Sequence, residues 1–305
     1  MINSEKNFKE FGWQDINCLV PSDWEPAVIN GNHEKGFVRF DDGFIPRLEI
    51  KWQEAKHGFS TEKTLKKYFK KLENESKLHN IEFSPEKNPV IFEKDLPSMK
   101  GFDWHADFSA CGIIYHCQAC KRAVIAQVLF RRNKVDRSLA RKILLSITDH
   151  SSAGSSNWSV YDCSLKLPAC FRLYGQRLES GFLELDFKNR HHRVKLLRWG
   201  MAEQLLKQES IKSFLEKRLD KNRELSFKEE NVNGHPSVSA AGCTVRHLLG
   251  IRKTAAKVFR RQFYPHFIHR AWQCPASNRL YSVEIATSKK DELEDLREKI
   301  RVECQ

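Results

Sequence analysis

The most constraining feature of this 305-residue chain is that its motifs occur twice, in the same order. Residues 13–26 read WQDINCLVPSDWEP and residues 160–173 read VYDCSLKLPACFRL. This places Pro21 and Pro168, and likewise Trp24 and Phe171, 147 positions apart. GFVRFDDG from Gly36 has its counterpart in GFLELDFK from Gly181, and RLEIKW ending at Trp52 faces VKLLRW ending at Trp199, again 147 apart. Towards the ends, HCQACKRAVIAQV from His116 faces QCPASNRLYSVEI from Gln273, pairing Cys117 with Cys274 and Arg122 with Arg279 at an offset of 157. A shared order of this kind is hard to reach by chance and predicts one structural unit used twice. The expected division is a first repeat over residues 1–150 and a second over 155–305, with the Ser/Gly-rich DHSSAGSSN (Asp149 to Asn157) as linker.

Within each half the apolar spacing changes period. Leu65, Tyr68, Phe69 and Leu72 follow the i, i+3, i+4, i+7 rule of a helix, with Ser60 or Thr61 as its cap, and Ile211, Phe214, Leu215 and Leu219 make a similar stripe. Val124, Ala126 and Val128 alternate, as do Tyr281, Val283 and Ile285, which predicts half-buried strands. Leu139 with Ile143, and Leu296 with Ile300, predict a closing helix in each repeat. RFDDGF (Arg39 to Phe44) reads as a hairpin turn, because Asp-Gly supplies positive φ, so Asp41 and Asp42 are turn residues and not a catalytic pair. Strands followed by helices predict an α+β class: two tandem homologous domains, each an antiparallel sheet flanked by helices.

The early strand ending in VPSDW (Val20 to Trp24), the following GFVRF, the midchain helix and the late strands resemble the PsbP-like family. LPACF and GFLEL carry the same resemblance in the second half. It implies an α/β/α sandwich in each repeat and mostly non-catalytic binding or accessory roles.

Charge separates the two copies. The chain carries +13 overall. Residues 1–152 hold 24 Lys and Arg against 21 Asp and Glu (+3), and residues 153–305 hold 28 against 18 (+10). From Asn231 to Val283 there is no acid at all, and the growth of the offset from 147 to 157 places a basic insertion at about 244–271. IRKTAAKVFRRQF (Ile251 to Phe263) fits a helix with Arg252, Lys253, Lys257, Arg260 and Arg261 on one half of the wheel. Arg246 and Arg270 flank it, and Tyr264, His266, Phe267 and His269 follow. Cations on one face beside aromatic rings suit phosphates and unpaired bases, so these seven basic residues are the expected contacts for RNA or a ribonucleoprotein. An acidic protein partner is the other class that the charge suits, in which case the chain is an interaction scaffold or accessory subunit.

Candidate chemistry is sparse. Cys117-x2-Cys120 is half of a zinc motif, and Cys111, His116 or His105 are the nearby residues that can complete it. There is no second Cys-x-x-Cys, and Ser277 stands where Cys120 would be repeated, so free thiols, no metal and no cofactor are expected. Phosphate-cradling glycine loops, Gly-x-Ser-x-Gly and His-Glu-x-x-His are absent from the sequence, which points to a non-enzymatic protein; a catalytic site assembled from scattered residues is the remaining alternative. Nine cysteines without a small-scaffold pattern, no amino-terminal apolar core and no long apolar run predict a cytoplasmic chain without a transmembrane segment.

Overall fold

The computed structural model describes residues 7–55, 59–87, 99–132, 134–150, 154–219, 223–244, 253–254 and 262–304. The chain divides into two compact units, Met1–Asp162 and Cys163–Gln305. The packing boundary therefore lies later than the sequence boundary. Ser155–Val160, assigned from sequence to the linker and the start of the second repeat, forms a strand that pairs within the first unit, where Ser159 stands opposite Gly12.

Unit 1 begins with β1 (Phe8–Trp13) and β2 (Ile16–Pro21), an antiparallel hairpin turned at Gln14 and Asp15, both with positive φ. Next come β3 (Glu25–Gly31), β4 (Lys35–Asp41), β5 (Pro46–Glu54), α1 (Thr61–Leu78), β6 (Ser84–Lys87), β7 (Met99–His105), β8 (Phe108–His116), β9 (Arg122–Arg131), α2 (Arg137–Leu145) and β10 (Ser155–Val160). The main sheet has seven strands in the order β3-β4-β5-β9-β8-β7-β6. Ser60 caps α1 by accepting from the Lys63 N–H at 3.3 Å, and Leu65 and Phe69 drive its buried face into Phe102, Trp104 and Ile114. Asp136 caps α2, whose Leu139 and Ile143 are buried.

Unit 2 contains β11 (Cys163–Pro168), β12 (Arg172–Glu179), β13 (Phe182–Lys188), β14 (His192–Gly200), α3 (Ala202–Leu205), α4 (Ile211–Glu216), β15 (Arg223–Val232), β16 (His235–Thr244), β17 (His266–Cys274), β18 (Arg279–Thr287), α5 (Leu293–Lys299) and β19 (Arg301–Cys304). Its sheet runs β12-β13-β14-β18-β17-β16-β15, the same order as in unit 1 when strands are matched in sequence. Both Pro-x-x-aromatic signals form the same tight turn. The Trp24 N–H donates to Pro21 O at 3.0 Å, the Phe171 N–H to Pro168 O at 3.1 Å, and both rings are buried.

The α+β expectation is corrected by this architecture. Of the described residues 55% are strand and 19% helix, and the strands pair antiparallel, so the chain is mostly β and not a set of helix-flanked sandwiches. The Leu65 stripe lies in the 18-residue α1, but the one at Ile211 to Leu219 yields only a six-residue helix. Much of the intervening chain alternates at period two instead, as in HPSVSAAGCT, which Asn233-Gly234 turns back onto β15 with positive φ at both residues.

Register also corrects the tryptophan match. Trp52 stands opposite Gly36 on β4 and Val124 on β9, whereas the residue opposite Leu183 and Tyr281 is Arg198. Trp52 is thus the structural partner of Arg198, and Trp199 lies one residue further on. In a strand a one-residue slip reverses the face. Trp52 is buried over Gly36, while Trp199 points to the opposite face and packs on Phe214 of α4.

Candidate anion-binding cleft and thiol clusters

In unit 1 the sheet extends beyond the reach of α1. Phe69 and Leu65 cover the β7–β8 side, and the β4–β5–β9 side is left as the floor of an open cleft of about 860 Å³. Lys35 and Lys51 reach it from the sheet, and Lys63 and Lys67, one helical turn apart, from α1. Phe37 and Phe59 supply aromatic walls, and Gln53, Ala123 and Ile125 the floor. Lys51 Nζ lies 4.9 Å from the Phe37 ring centre and 3.8 Å from Glu49, while the Phe59 ring lies 5.1 Å from that of His116. Glu54 is at the rim. Among the described residues, Lys35, Lys63 and Lys67 make no ion pair, so their charges face solvent without a local carboxylate partner. The amino-terminal end of α1 adds its partial positive charge to the same side.

The corresponding face of unit 2 is filled. Matched by strand register, Lys35 becomes Phe182, Lys51 becomes Leu197, Gln53 becomes Trp199 and Ala123 becomes Leu280. Trp199 packs on Phe182 at 5.6 Å and edge-on to Phe214 at 5.1 Å, with Ala202, Leu206 and Leu280 completing the cluster. The Arg218 guanidinium then covers Phe214 at 3.4 Å.

The basic residues singled out in the sequence fare differently. Arg246, Arg252, Lys257, Arg260 and Arg261, with most of the Ile251–Phe263 helix, lie outside the described residues. Lys253 is exposed. Arg270 is half-buried on β17; burial lowers its pKa, Arg297 reinforces this, and Glu230 and Glu294 oppose it. It lies within the electrostatic reach of the ion pair that Arg297 makes with Glu230 at 2.7 Å. Phe267 and His269, expected beside a basic face, are instead buried on β17 because the segment is a strand with its apolar side in the core. The cleft lysines were missed by sequence reasoning. Lys63 and Lys67 carried a signal in their i, i+4 spacing, whereas Lys35 and Lys51 meet only through sheet register.

The Cys117–Cys120 pair sits in the turn joining β8 to β9, closed by the Cys117 N–H donating to Arg122 O at 2.9 Å. Its neighbours are Asp149 and His150, which follow α2. Cys117 Sγ is 3.4 Å from His150 Nδ1, Cys120 Sγ is 2.9 Å from Asp149 Oδ2, and His150 Nδ1 is 3.0 Å from Asp149 Oδ1. None of the partners considered from sequence is used. Burial, with Asp103 beside it, pushes the Cys111 thiol up to about 12, His105 pairs with Ser109, and His116 faces Gln118. Burial and the Asp149 carboxylate push the Cys120 thiol up to about 11. Asp149 and His150, read as the start of a linker, are anchored: the buried Arg122 donates to the Asp149 carbonyl, and the preceding Thr148 exchanges two 2.9 Å backbone hydrogen bonds with Asn17. In unit 2 a smaller cluster joins His235, Cys274 and Cys304. Burial works against the Cys274 thiolate there, but hydrogen bonds from Ser277 outweigh it and hold the thiol below its ordinary value.

None of the nine cysteines is in a disulfide, and among the described residues no helix is long and apolar enough to cross a membrane. No protein-family model matches the chain and no curated protein matches it, so the geometry of the site carries its functional reading.

Proposed function

We propose that this protein is a non-enzymatic RNA-binding protein of the cytoplasm, with the unit 1 cleft as its contact for unpaired RNA. One observation carries it: Lys35, Lys51, Lys63 and Lys67 converge on an open groove walled by Phe37 and Phe59. Lysines along a groove neutralise successive phosphates and release their counterions, and flat rings between them accept bases without sequence preference. The acid-free stretch from Asn231 to Val283 supports the same partner from the second unit. Nine cysteines without a disulfide fit a reducing compartment.

Fluorescence anisotropy with a labelled single-stranded oligonucleotide tests this. Wild type is expected to bind with an affinity that falls steeply with salt. Lys63→Glu with Lys67→Glu should weaken binding and lower the log–log salt slope by roughly 0.7 for each lost phosphate contact. Lys66→Glu with Lys70→Glu, exposed on the same helix but outside the cleft, is the control for net charge. Arg252→Glu with Lys257→Glu and Arg260→Glu measures the share of the second unit. Equal loss in the cleft and control variants reduces the effect to bulk charge, and no binding at low salt removes RNA as the partner, leaving an interaction scaffold.

A further inference from the structure

We propose that Cys117, Cys120, Asp149 and His150 form a binding site for one divalent transition metal ion, zinc by its donor set, serving as a structural clamp in unit 1. The donors come as two pairs, one in the β8–β9 turn and one directly after α2, and their four ligand atoms lie within 4.8 Å of one another. Zinc bonds of about 2.0–2.3 Å in a tetrahedron require donor–donor separations of about 3.3–3.8 Å. Cys117 Sγ and His150 Nδ1, 3.4 Å apart, already have that spacing. Asp149 turns Oδ2 to Cys120 and Oδ1 to His150, and with one donor atom per residue all within 4.8 Å, shifts of about 1 Å bring the set to tetrahedral spacing.

Donor chemistry selects the metal. Two sulfurs disfavour magnesium and calcium, while thiolate, imidazole and carboxylate together suit zinc. Binding releases both thiol protons to solvent, leaving two thiolates and one carboxylate around a dication. The remaining negative charge is met by Arg122, which is buried beside the cluster and whose guanidinium and backbone N–H both face Cys120. Arg122 also donates to the Asp149 carbonyl and, at 2.7 Å, to Gln14 O, so it holds one ligand in place from the outer shell. With protein groups in all four positions no site is left for a substrate, which fits a structural role. The clamp would fasten the end of α2 to the turn whose Lys121 carbonyl accepts from the Ala55 N–H at 2.8 Å.

Unit 2 supplies the internal control. Cys274 matches Cys117, but Ser277 replaces Cys120, and the cluster with His235 and Cys304 has three donors. The full-length protein, purified without chelator and desalted, should carry one zinc per chain by elemental analysis. Replacement by Co2+ should give a thiolate charge-transfer band and the visible bands of tetrahedral cobalt. Cys117→Ser with Cys120→Ser should abolish both, and Cys274→Ser should leave both unchanged. His150 is exposed, so His150→Ala keeps the fold while lowering zinc affinity by more than the roughly 10–100-fold typical of an outer-shell partner. Wild-type protein that neither retains zinc nor develops the cobalt bands would overturn the proposal. So would metal that survives the double serine variant or disappears with Cys274→Ser.

Discussion

The same sheet face is open in one unit and closed in the other. Both sheets have the same strand order, yet the positions held by Lys35, Lys51, Gln53 and Ala123 in unit 1 are held by Phe182, Leu197, Trp199 and Leu280 in unit 2. A cluster built around Phe214 and Trp199 stabilises a sheet; a groove lined by cations does not, and leaves its apolar floor in contact with water. The difference teaches that the backbone tolerates both solutions, so the open face in unit 1 is a property of its side chains. Five substitutions sharpen or break that contrast.

The largest effect is expected at the centre of the filled face. Phe214→Ala should cost about 3–5 kcal/mol, as removal of a fully buried ring does, whereas Lys67→Ala on the helix above the cleft should stay within about 0.5 kcal/mol. Urea unfolding followed by tryptophan fluorescence measures both; similar costs would mean the two faces are not different in kind. Next comes Gly36→Ala. A Cβ there would sit 2.1 Å from the Trp52 ring, which fits a cost of about 1–3 kcal/mol from overpacking. By register its position in unit 2 is held by Leu183, two residues beyond the Gly181 of the sequence match. Leu183 is accommodated because Arg198, and not tryptophan, stands opposite. A neutral Gly36→Ala would refute the register assignment.

Gln53→Trp copies unit 2 into the cleft. Gln53 is exposed, so the fold should persist while RNA affinity drops about tenfold, equivalent to about 1.4 kcal/mol. Unchanged binding would place the contact elsewhere. The smallest effect concerns pH. Burial lowers the His192 pKa although Glu292 at 2.9 Å opposes it, and Pro46, which cannot titrate, opens the corresponding strand in unit 1. A base whose folded pKa lies below its unfolded value of about 6.5 adds stability above that pH and loses it as pH falls towards the folded value. Thermal unfolding between pH 7 and pH 5 should therefore fall less steeply in His192→Gln than in wild type.

Much of the fold's periodicity was legible. The α1 stripe and the alternation of Val124, Ala126 and Val128 occupy the elements their spacing implied, and the matched pairs Pro21/Trp24 and Pro168/Phe171 close the same turn. What spacing cannot convey is the partner across a strand pair. The match of Trp52 with Trp199 was one residue out, and only the pairing with Val124 and Leu280 shows that the rings face opposite ways. Strand content was underestimated because segments such as ACGIIYH (Ala110 to His116) are covered on both faces and do not alternate. The thiol cluster escaped for a related reason: its second ligand pair is Asp149 and His150, in a Ser/Gly-rich segment that composition alone reads as a linker. The cleft escaped because two of its four lysines meet through register rather than sequence proximity.

Where RNA touches the chain is the most direct measure of the contrast between the units. Ultraviolet crosslinking of a bound oligouridylate, followed by mass spectrometry of the crosslinked peptides, reads this position without any substitution. The open-cleft account predicts crosslinks at Phe37, Phe59 and the adjoining peptides spanning 35–67. Crosslinks confined to the second unit, between Ile251 and Arg270, would contradict it.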